Sequence, residues 1–264
     1  MNKVERYYDN ANDEWERLER HKLEFEITKR VFCEFIPSNA TVLDVGGGPG
    51  RYSVLLAGKG HEVTLVDLSS EHVNQALDNA ASFGVKLNAC IKANALHLDE
   101  HFPEQQFDVV LCMGPLYHLP NECDRKVVIK QCLRTLKPGG IFIAAFISAF
   151  APLVDCLKYC LSRGVERVAE ELNYLQDGRY AGDSGFTEAY FIHPETVDQA
   201  MEGFEIEKLR LMAVEPLGAL CELHLNQLPE EQFQKVVEVL YKIAEQKSVL
   251  GACEHLLYIG RKNR

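Results

Sequence analysis

The chain has 264 residues, of which 47% are hydrophobic and 25% charged, an ordinary globular composition that supports a sizeable buried core. Its formal net charge of −11 argues against nucleic acids and anionic membranes as partners, because both are bound by basic surface patches. Because the N-terminus is charged and no apolar run reaches about 18 residues, we expect neither a signal peptide nor a membrane-spanning helix.

The first part of the chain predicts a helical segment followed by alternating strands and helices. Residues 14–35 are predicted to form one or two helices, since apolar residues recur there at helical spacing. Five predicted strands follow, at residues 41–45, 63–66, 87–92, 107–113 and 141–147. Predicted helices separate them, and Ser69 or Ser70 is expected to cap the helix after the second strand. This alternation predicts a doubly wound, mostly parallel sheet of the Rossmann type.

The alternation stops after Ser148. Residues 153–161 and 165–175 predict two helices, and residues 177–185 form a glycine-rich polar stretch typical of a loop. Residues 186–193 combine aromatics, an acid and a histidine, a mixture that suits either a pocket roof or a strand at the sheet edge. Two further strands, at residues 204–211 and 255–259, flank a helix at residues 230–246. We therefore predict one domain with an inserted cap.

The nine cysteines are scattered and include no CxxC pair. An odd number of cysteines without a secretory signal indicates free thiols in a reducing compartment, so we expect a cytoplasmic protein. Most of these cysteines lie in apolar runs, which favours small buried side chains over metal ligands. We therefore predict no metal site.

A glycine-rich turn follows the first predicted strand. Gly46, Gly47, Gly48 and Gly50 let the backbone turn tightly and approach a ligand, since no Cβ intervenes. The spacing is G-x-G-x-G, whereas dinucleotide-binding enzymes need G-x-G-x-x-G. Asp44, two residues before the first glycine, would repel a pyrophosphate but suits a ligand that carries an ammonium group. The pattern D-x-G-x-G-x-G resembles motif I of the class I S-adenosylmethionine-dependent methyltransferases, in which this loop holds the methionine part of the cofactor.

Three later segments extend the resemblance over residues 40–147, more than a third of the chain. Val63 to Ser69 resembles the second motif, which implies that Asp67 accepts hydrogen bonds from the ribose hydroxyls and that Leu68 lies against the adenine. Asn94 and Ala95 stand where the family often has Ala-Asp-Ala, so an amide oxygen replaces a carboxylate towards the adenine amino group.

The segment from Phe107 to Leu119 resembles motif IV, and Arg134 to Gly140 matches the turn before the fifth strand. The resemblance implies that Met113 and Gly114 pass the sulfonium and that Tyr117 and His118 face the methyl acceptor. His118 is the candidate for acceptor contact or general base, because imidazole is best tuned near neutral pH. A loop histidine that only packs is the alternative.

The resemblance also implies a seven-stranded, mostly parallel sheet with one antiparallel strand. We divide the domain into an N-terminal helical lid (residues 1–36), a cofactor-binding core (37–148), an inserted substrate cap (149–193) and a C-terminal part of the sheet (194–264). Tyr8 in the lid is expected to fold over the cofactor, since a tyrosine has an apolar body and a polar tip. An ordinary packing helix is the alternative for this segment.

The function implied is an SN2-like transfer of a methyl group from S-adenosylmethionine to oxygen, nitrogen, sulfur or carbon of a small molecule. Gly114-Pro115-Leu116-Tyr117 replaces the Asn/Asp-Pro-Pro-Tyr motif of amino-methylating relatives, which with the acidic charge disfavours nucleic acid acceptors. The alternatives are a non-catalytic module that binds the cofactor, a methyltransferase with a protein acceptor and a nicotinamide-dependent oxidoreductase. The protein is expected to be a monomer or a homodimer.

Overall fold

The computed structural model describes residues 3–10, 14–163, 174–182 and 186–264, and a nine-stranded sheet forms their centre. Its strands are β1 Thr41–Val45, β2 Glu62–Asp67, β3 Ala89–Lys92, β4 Phe107–Cys112, β5 Leu136–Ser148, β6 Arg179–Tyr180, β7 Ala189–Ile192, β8 Ile206–Ala213 and β9 His255–Lys262. Seven strands run in the order β3-β2-β1-β4-β5-β9-β8. β1 to β5 are parallel, and β9 is antiparallel to both of its neighbours. The predicted Rossmann-like, mostly parallel sheet is confirmed, but it has nine strands instead of seven, because β6 and β7 extend it.

Helices cover both faces of the sheet. They are α1 Lys3–Tyr8, α2 Glu14–Arg20, α3 Lys22–Phe35, α4 Arg51–Gly58, α5 Ser70–Ser82, α6 Glu122–Thr135, α7 Ala151–Arg163, α8 Tyr174–Asp177, α9 Val197–Ala200, α10 Glu222–Leu225, α11 Glu230–Ile243 and α12 Lys247–Leu250. Neighbouring residues of a strand face opposite sides, so Leu43 joins the core beneath α6 while Val42 joins the core beneath α3. Both faces of β1 are therefore apolar, as a doubly covered parallel strand requires. Within the described residues, no helix combines the length and apolar character needed to cross a bilayer.

The insertion contributes two strands that the sequence reading did not assign. β7 pairs in parallel with the end of β5, where Ile147 lies opposite Phe191, and β6 pairs with β7. Of the two interpretations of residues 186–193, the strand at the sheet edge is therefore correct for β7. The helix predicted at 165–175 lies mostly outside the described residues, as do residues 183–185 of the predicted loop.

The turn predicted at residues 137–140 is the second difference. β5 begins at Leu136 and continues through these residues, with a bulge that lets Phe107 pair with Leu136 and Val109 pair with Ile141. Gly139 absorbs the irregularity with a φ of 76°, a conformation that glycine adopts without strain. Pro138 and Gly139 thus lie at a bulge inside β5 and do not form a turn before it.

Candidate cofactor and acceptor site

A cavity of about 130 Å³ lies at the carboxyl ends of β1, β2 and β4. In an open α/β sheet this is the position at which ligands bind, because the loops that leave the strands surround it. Helix α1 closes the cavity from the opposite side with Val4 and Tyr8. Ten of the residues predicted for the site line it: Tyr8, Gly46, Gly48, Asp67, Leu68, Asn94, Ala95, Gly114, Tyr117 and His118.

The glycine-rich loop packs directly against the loop after β4, so closely that there is no room for side chains between them. Gly46 and Gly48 have φ values of 72° and 54°, in the left-handed region that favours glycine. A Cβ on Gly46 would lie 2.5 Å from Pro115 Cδ, and a Cβ on Gly114 would lie 3.0 Å from the Gly46 carbonyl oxygen. These glycines are therefore required by close contact between the two loops as well as by backbone conformation.

Asp67 ends β2 and holds the floor of the cavity in place. One carboxylate oxygen accepts from the Gly48 N–H and the other from the Ser69 N–H, each at 2.8 Å. A carboxylate offers about four lone-pair positions, so two remain for donors that enter the cavity. Ser69 caps α5 as predicted, because its side chain accepts from the His72 N–H at 3.1 Å.

Asn94 is placed in the cavity, but its side-chain oxygen already has a partner. The oxygen accepts from the Leu96 N–H at 3.0 Å and so caps the 3-10 turn Ala95–Glu100. A ligand amino group could reach only the second lone pair of that oxygen. The predicted role towards adenine therefore competes with a local structural role.

His118 is buried, and its hydrogen bonds define its tautomer. The Glu188 carbonyl oxygen can only accept, so His118 Nδ1 carries the proton and donates across 3.2 Å. Nε2 then holds a lone pair, to which the Tyr8 hydroxyl donates at 2.7 Å. Burial lowers the pKa of His118 to about 4, so the ring is neutral at neutral pH. Burial also raises the pKa of Tyr8 well above its usual value and keeps it a donor.

Helix α1 is fastened to the cavity rim by polar contacts outside the Tyr8–His118 pair. Asp9 accepts from the Ser69 hydroxyl at 2.7 Å, next to the Asp67 backbone bonds. Glu5 accepts from Lys92 at 2.8 Å, at the end of β3. The helix therefore covers the site, as the predicted lid would.

Four predicted residues do not line the cavity that the described residues form: Asp44, Gly47, Gly50 and Met113. The Asp44 carboxylate lies beneath Gly47, is 1% exposed and accepts from the Ser53 hydroxyl at 2.7 Å. Burial raises its pKa to about 6, because a charged carboxylate loses its hydration there. Gly50 caps the start of α4 and lies against Ala76, and Met113, which follows the end of β4, packs against the core beneath α3.

The sequence reading missed two polar residues of the cavity, Glu14 and His72. His72 is 2% exposed, and its Nδ1 lies 3.6 Å from Asp67, one helical turn after the capping serine. Its place in the first turn after an acidic strand end is the signal that could have revealed it. Glu14 forms an ion pair with Arg17 at 2.7 Å, whereas the neighbouring Trp15 contacts the Phe83 ring and does not line the cavity.

Comparison with known proteins agrees with this geometry. The strand order, the glycine-rich loop after β1 and the acid that ends β2 define a class I methyltransferase fold. A solved S-adenosylmethionine-dependent methyltransferase from Methanosarcina mazei superposes with a TM-score of 0.58 at 20% identity, over 88% of this chain and 97% of that one. The family profile described as "Methyltransferase domain" matches residues 42–140. Residues 42–140 are therefore similar to a methyltransferase domain, and the chain shares the fold of an S-adenosylmethionine-dependent methyltransferase.

Two curated relatives share this region. The ubiquinone biosynthesis O-methyltransferase of Shewanella pealeana is 40% identical over 99 residues, which are 38% of this chain and 40% of the relative. The tRNA 5-carboxymethoxyuridine methyltransferase of Escherichia coli K12 is 30% identical over 150 residues, 56% of this chain and 52% of the relative. The chain thus matches about half or less of the length of these relatives.

The residues present fit S-adenosylmethionine, the cofactor of such domains. Asp67 keeps acceptor positions for two hydroxyl groups, and Leu68, Ala95 and Leu96 supply an apolar wall for a planar ring. The loop from Gly46 to Gly48 presents backbone without side chains. Asp44 Oδ1 lacks a hydrogen-bond partner among the described residues. An unpaired carboxylate oxygen beneath the loop suits a ligand that carries a positive charge above it.

Proposed function

We propose that the protein is a methyltransferase that uses S-adenosylmethionine and modifies a small-molecule acceptor. The observation that carries the proposal is that one cavity is lined by two different groups of residues. The glycine-rich loop and Asp67 lie at one end, and Tyr8, Tyr117 and His118 lie at the other. One end suits a nucleoside, and the other presents a neutral imidazole and two hydroxyl groups. When bound, the cofactor supplies an already activated methyl group, so alignment is the main task of the protein.

The residues of the chain divide this task. Asp67 and the loop from Gly46 orient the cofactor, and α1 covers it and excludes water. His118 Nε2 accepts a hydrogen bond and can accept one from an acceptor hydroxyl in place of Tyr8. With a pKa of about 4, its ring orients that hydroxyl better than it holds a proton. An acceptor that ionises easily, such as a phenol, therefore suits this site.

A small acceptor is favoured by charge and by the site. The net charge of −11 repels a polyanion, and the two acids of the cavity lining, Glu14 and Asp67, add to this locally. The relative named for ubiquinone biosynthesis supports a small acceptor, and the relative named for tRNA defines the competing possibility. We further propose a reducing, cytoplasmic location, because the eight cysteines whose side chains the structure describes are free thiols.

Calorimetric titration with S-adenosylhomocysteine tests cofactor binding. We expect binding by the wild-type chain and at least about tenfold weaker binding by Asp67→Ala, because a charged acceptor of two hydrogen bonds is removed. Asp78→Ala is the matched control, since Asp78 is exposed on α5. Absence of wild-type binding, or equal affinity in both variants, would overturn the cofactor assignment.

Turnover is tested by release of S-adenosylhomocysteine with three kinds of acceptor. A panel of catechols and other phenols should support release, and His118→Ala should reduce it. Release only with unmodified tRNA, or only with protein acceptors, would replace the small-molecule proposal by one of those classes. Cofactor binding without release on any panel would favour the non-catalytic module.

A further inference from the structure

A second cavity, of about 220 Å³, lies between α6, α9 and the end of β5, on the outer side of β7. Its inner wall is apolar, with Ile129, Phe146 and Ile192. It shares no lining residue with the cofactor cavity, so a ligand there would leave the cofactor site free. Nothing in the proposed methyl transfer uses this space.

Arg125 is one of the charged residues that line this cavity. It is 9% exposed. Its guanidinium carbon lies 3.6 Å from the centre of the Tyr190 ring, so the ring holds the orientation of the planar guanidinium group. One nitrogen donates to the Leu119 carbonyl oxygen at 2.6 Å. Among the described residues, no carboxylate lies within ion-pair distance of Arg125, although the chain as a whole is strongly acidic.

The neighbouring charges cannot satisfy this guanidinium. Glu122 and Asp124 attract the guanidinium, but neither forms an ion pair with it, and at the rim Glu122 pairs instead with Lys126 at 2.6 Å. Gln199 and Thr196 add polar groups at the opposite rim. A buried cation is costly unless an anion neutralises it, and a ligand can supply that anion. The guanidinium of Arg125 has N–H donors left that can bind both oxygens of a carboxylate.

We propose that this cavity binds a small organic carboxylate, with the carboxylate on Arg125 and an apolar body against Ile129, Phe146 and Ile192. The class follows from the two halves of the cavity. The fork matches a carboxylate in two hydrogen bonds, and the apolar wall discriminates against a fully hydrated inorganic anion. The site is separate from the proposed methyl transfer, and either assignment can fail without the other.

Benzoate is the probe, and backbone amide resonances of the full chain report where it binds. We expect shifts confined to residues 122–129 and 190–200, and at least about tenfold weaker binding by Arg125→Gln, since a charge-assisted pair is removed. Arg134→Gln is the matched control, because Arg134 lies on the same helix and donates to the Phe102 carbonyl oxygen outside the cavity. Benzamide, a neutral analogue of the same shape, should bind at least tenfold more weakly than benzoate.

Several outcomes would overturn the proposal. They are shifts centred on residues 46–118, equal affinity in wild type and Arg125→Gln, equal affinity for benzamide or sulfate, and no shifts at about 50 mM benzoate. If Arg125→Gln does not fold, Ala200→Phe provides the test, because it fills the cavity and leaves the guanidinium in place. That variant should lose benzoate binding and retain the wild-type thermal unfolding midpoint within a few degrees, and retained binding would contradict the site.

Discussion

Asp44 is buried at a cost that the sequence motif does not reveal. Its carboxylate accepts one hydrogen bond, from Ser53, and its other oxygen is unpartnered among the described residues. Burial raises its pKa from 3.8 to about 6, against the effect of the Ser53 hydrogen bond, and Asp67 adds a smaller repulsion. The folded state therefore binds a proton that the unfolded state releases between these two pH values.

Asp44→Asn should stabilise the ligand-free protein above pH 6 and change little near pH 4. The folded pKa is raised, so the penalty for ionisation is absent below 3.8 and complete above 6, where it amounts to about 3 kcal/mol at most. Urea unfolding at pH 4 and pH 7.5 measures the free energy of unfolding at each. Asp78→Asn, an exposed change, should be neutral at both. An equal gain at both pH values would contradict the burial argument.

Tyr8→Phe should leave the pKa of His118 at about 4. Burial is what lowers this pKa, and a phenylalanine ring keeps the histidine buried. The Tyr8 hydroxyl can donate to the neutral ring or accept from the charged one, so its loss does not strongly favour either form. A pH titration of the imidazole resonances checks this. Tyr7→Phe is the control, because the ring of Tyr7 contacts Tyr8 and Phe186 and is retained. A rise of the His118 pKa to its ordinary value in Tyr8→Phe would contradict burial as the cause of the low pKa.

At the scale of elements, the glycine-rich loop and the β5 bulge allow a matched pair of substitutions. Gly46 and Gly139 have similar positive φ values, 72° and 76°. A Cβ on Gly46 would collide with Pro115, whereas a Cβ on Gly139 meets nothing within 4 Å. The two positions therefore share backbone strain and differ in packing.

Gly46→Ala should abolish S-adenosylhomocysteine binding and lower the unfolding midpoint, while Gly139→Ala should cost only the backbone strain of about 1 kcal/mol. Relief of the Gly46 collision would push the loop after β4 away from the cavity, because Pro115 leads directly into Tyr117 and His118. Calorimetric titration and thermal unfolding of both variants make the comparison. Normal binding by Gly46→Ala would show that the loops do not meet as described.

The sequence predicted the regular elements well because their signals are local. Apolar alternation, the Ser69 cap and the glycine punctuation locate β1, β2, β4 and the helices between them to within a few residues. β7 is not specified by local sequence, because Ala189–Ile192 becomes a strand only by pairing with the end of β5. The placement of Asp44 beneath the loop and the second bond of Asn94 also depend on the folded backbone, which the motif pattern does not specify.

At the scale of the whole molecule, buried ion pairs connect segments that are far apart in the chain. Lys158 of α7 bridges Glu222 at 3.1 Å and Glu254 at 2.8 Å. Beside them, Arg17 pairs with Glu24, and His255 pairs with Glu215 at 2.7 Å. Burial alone would lower the pKa of His255, but attraction to Glu215 and Glu24 outweighs burial and raises this pKa to about 9. Helices α2, α3 and α7 and the last strand β9 therefore meet in one network of charges.

Lys158→Met tests whether this network holds the insertion against the sheet. The Lys158 side chain is 1% exposed and Glu222 is 2% exposed. Removal of the ammonium leaves the buried Glu254 without this ion pair and leaves Glu222 with His21 alone. Breaking a buried pair in this way costs about 3 kcal/mol or more, although replacing all partners together could be neutral. Urea unfolding of Lys158→Met should show that loss in the free energy of unfolding.

Lys242→Met removes a pair that is 67% and 63% exposed and should cost at most about 1 kcal/mol. Equal losses in the two variants would mean that water reaches Lys158 and that the charges of the network are solvated rather than structural.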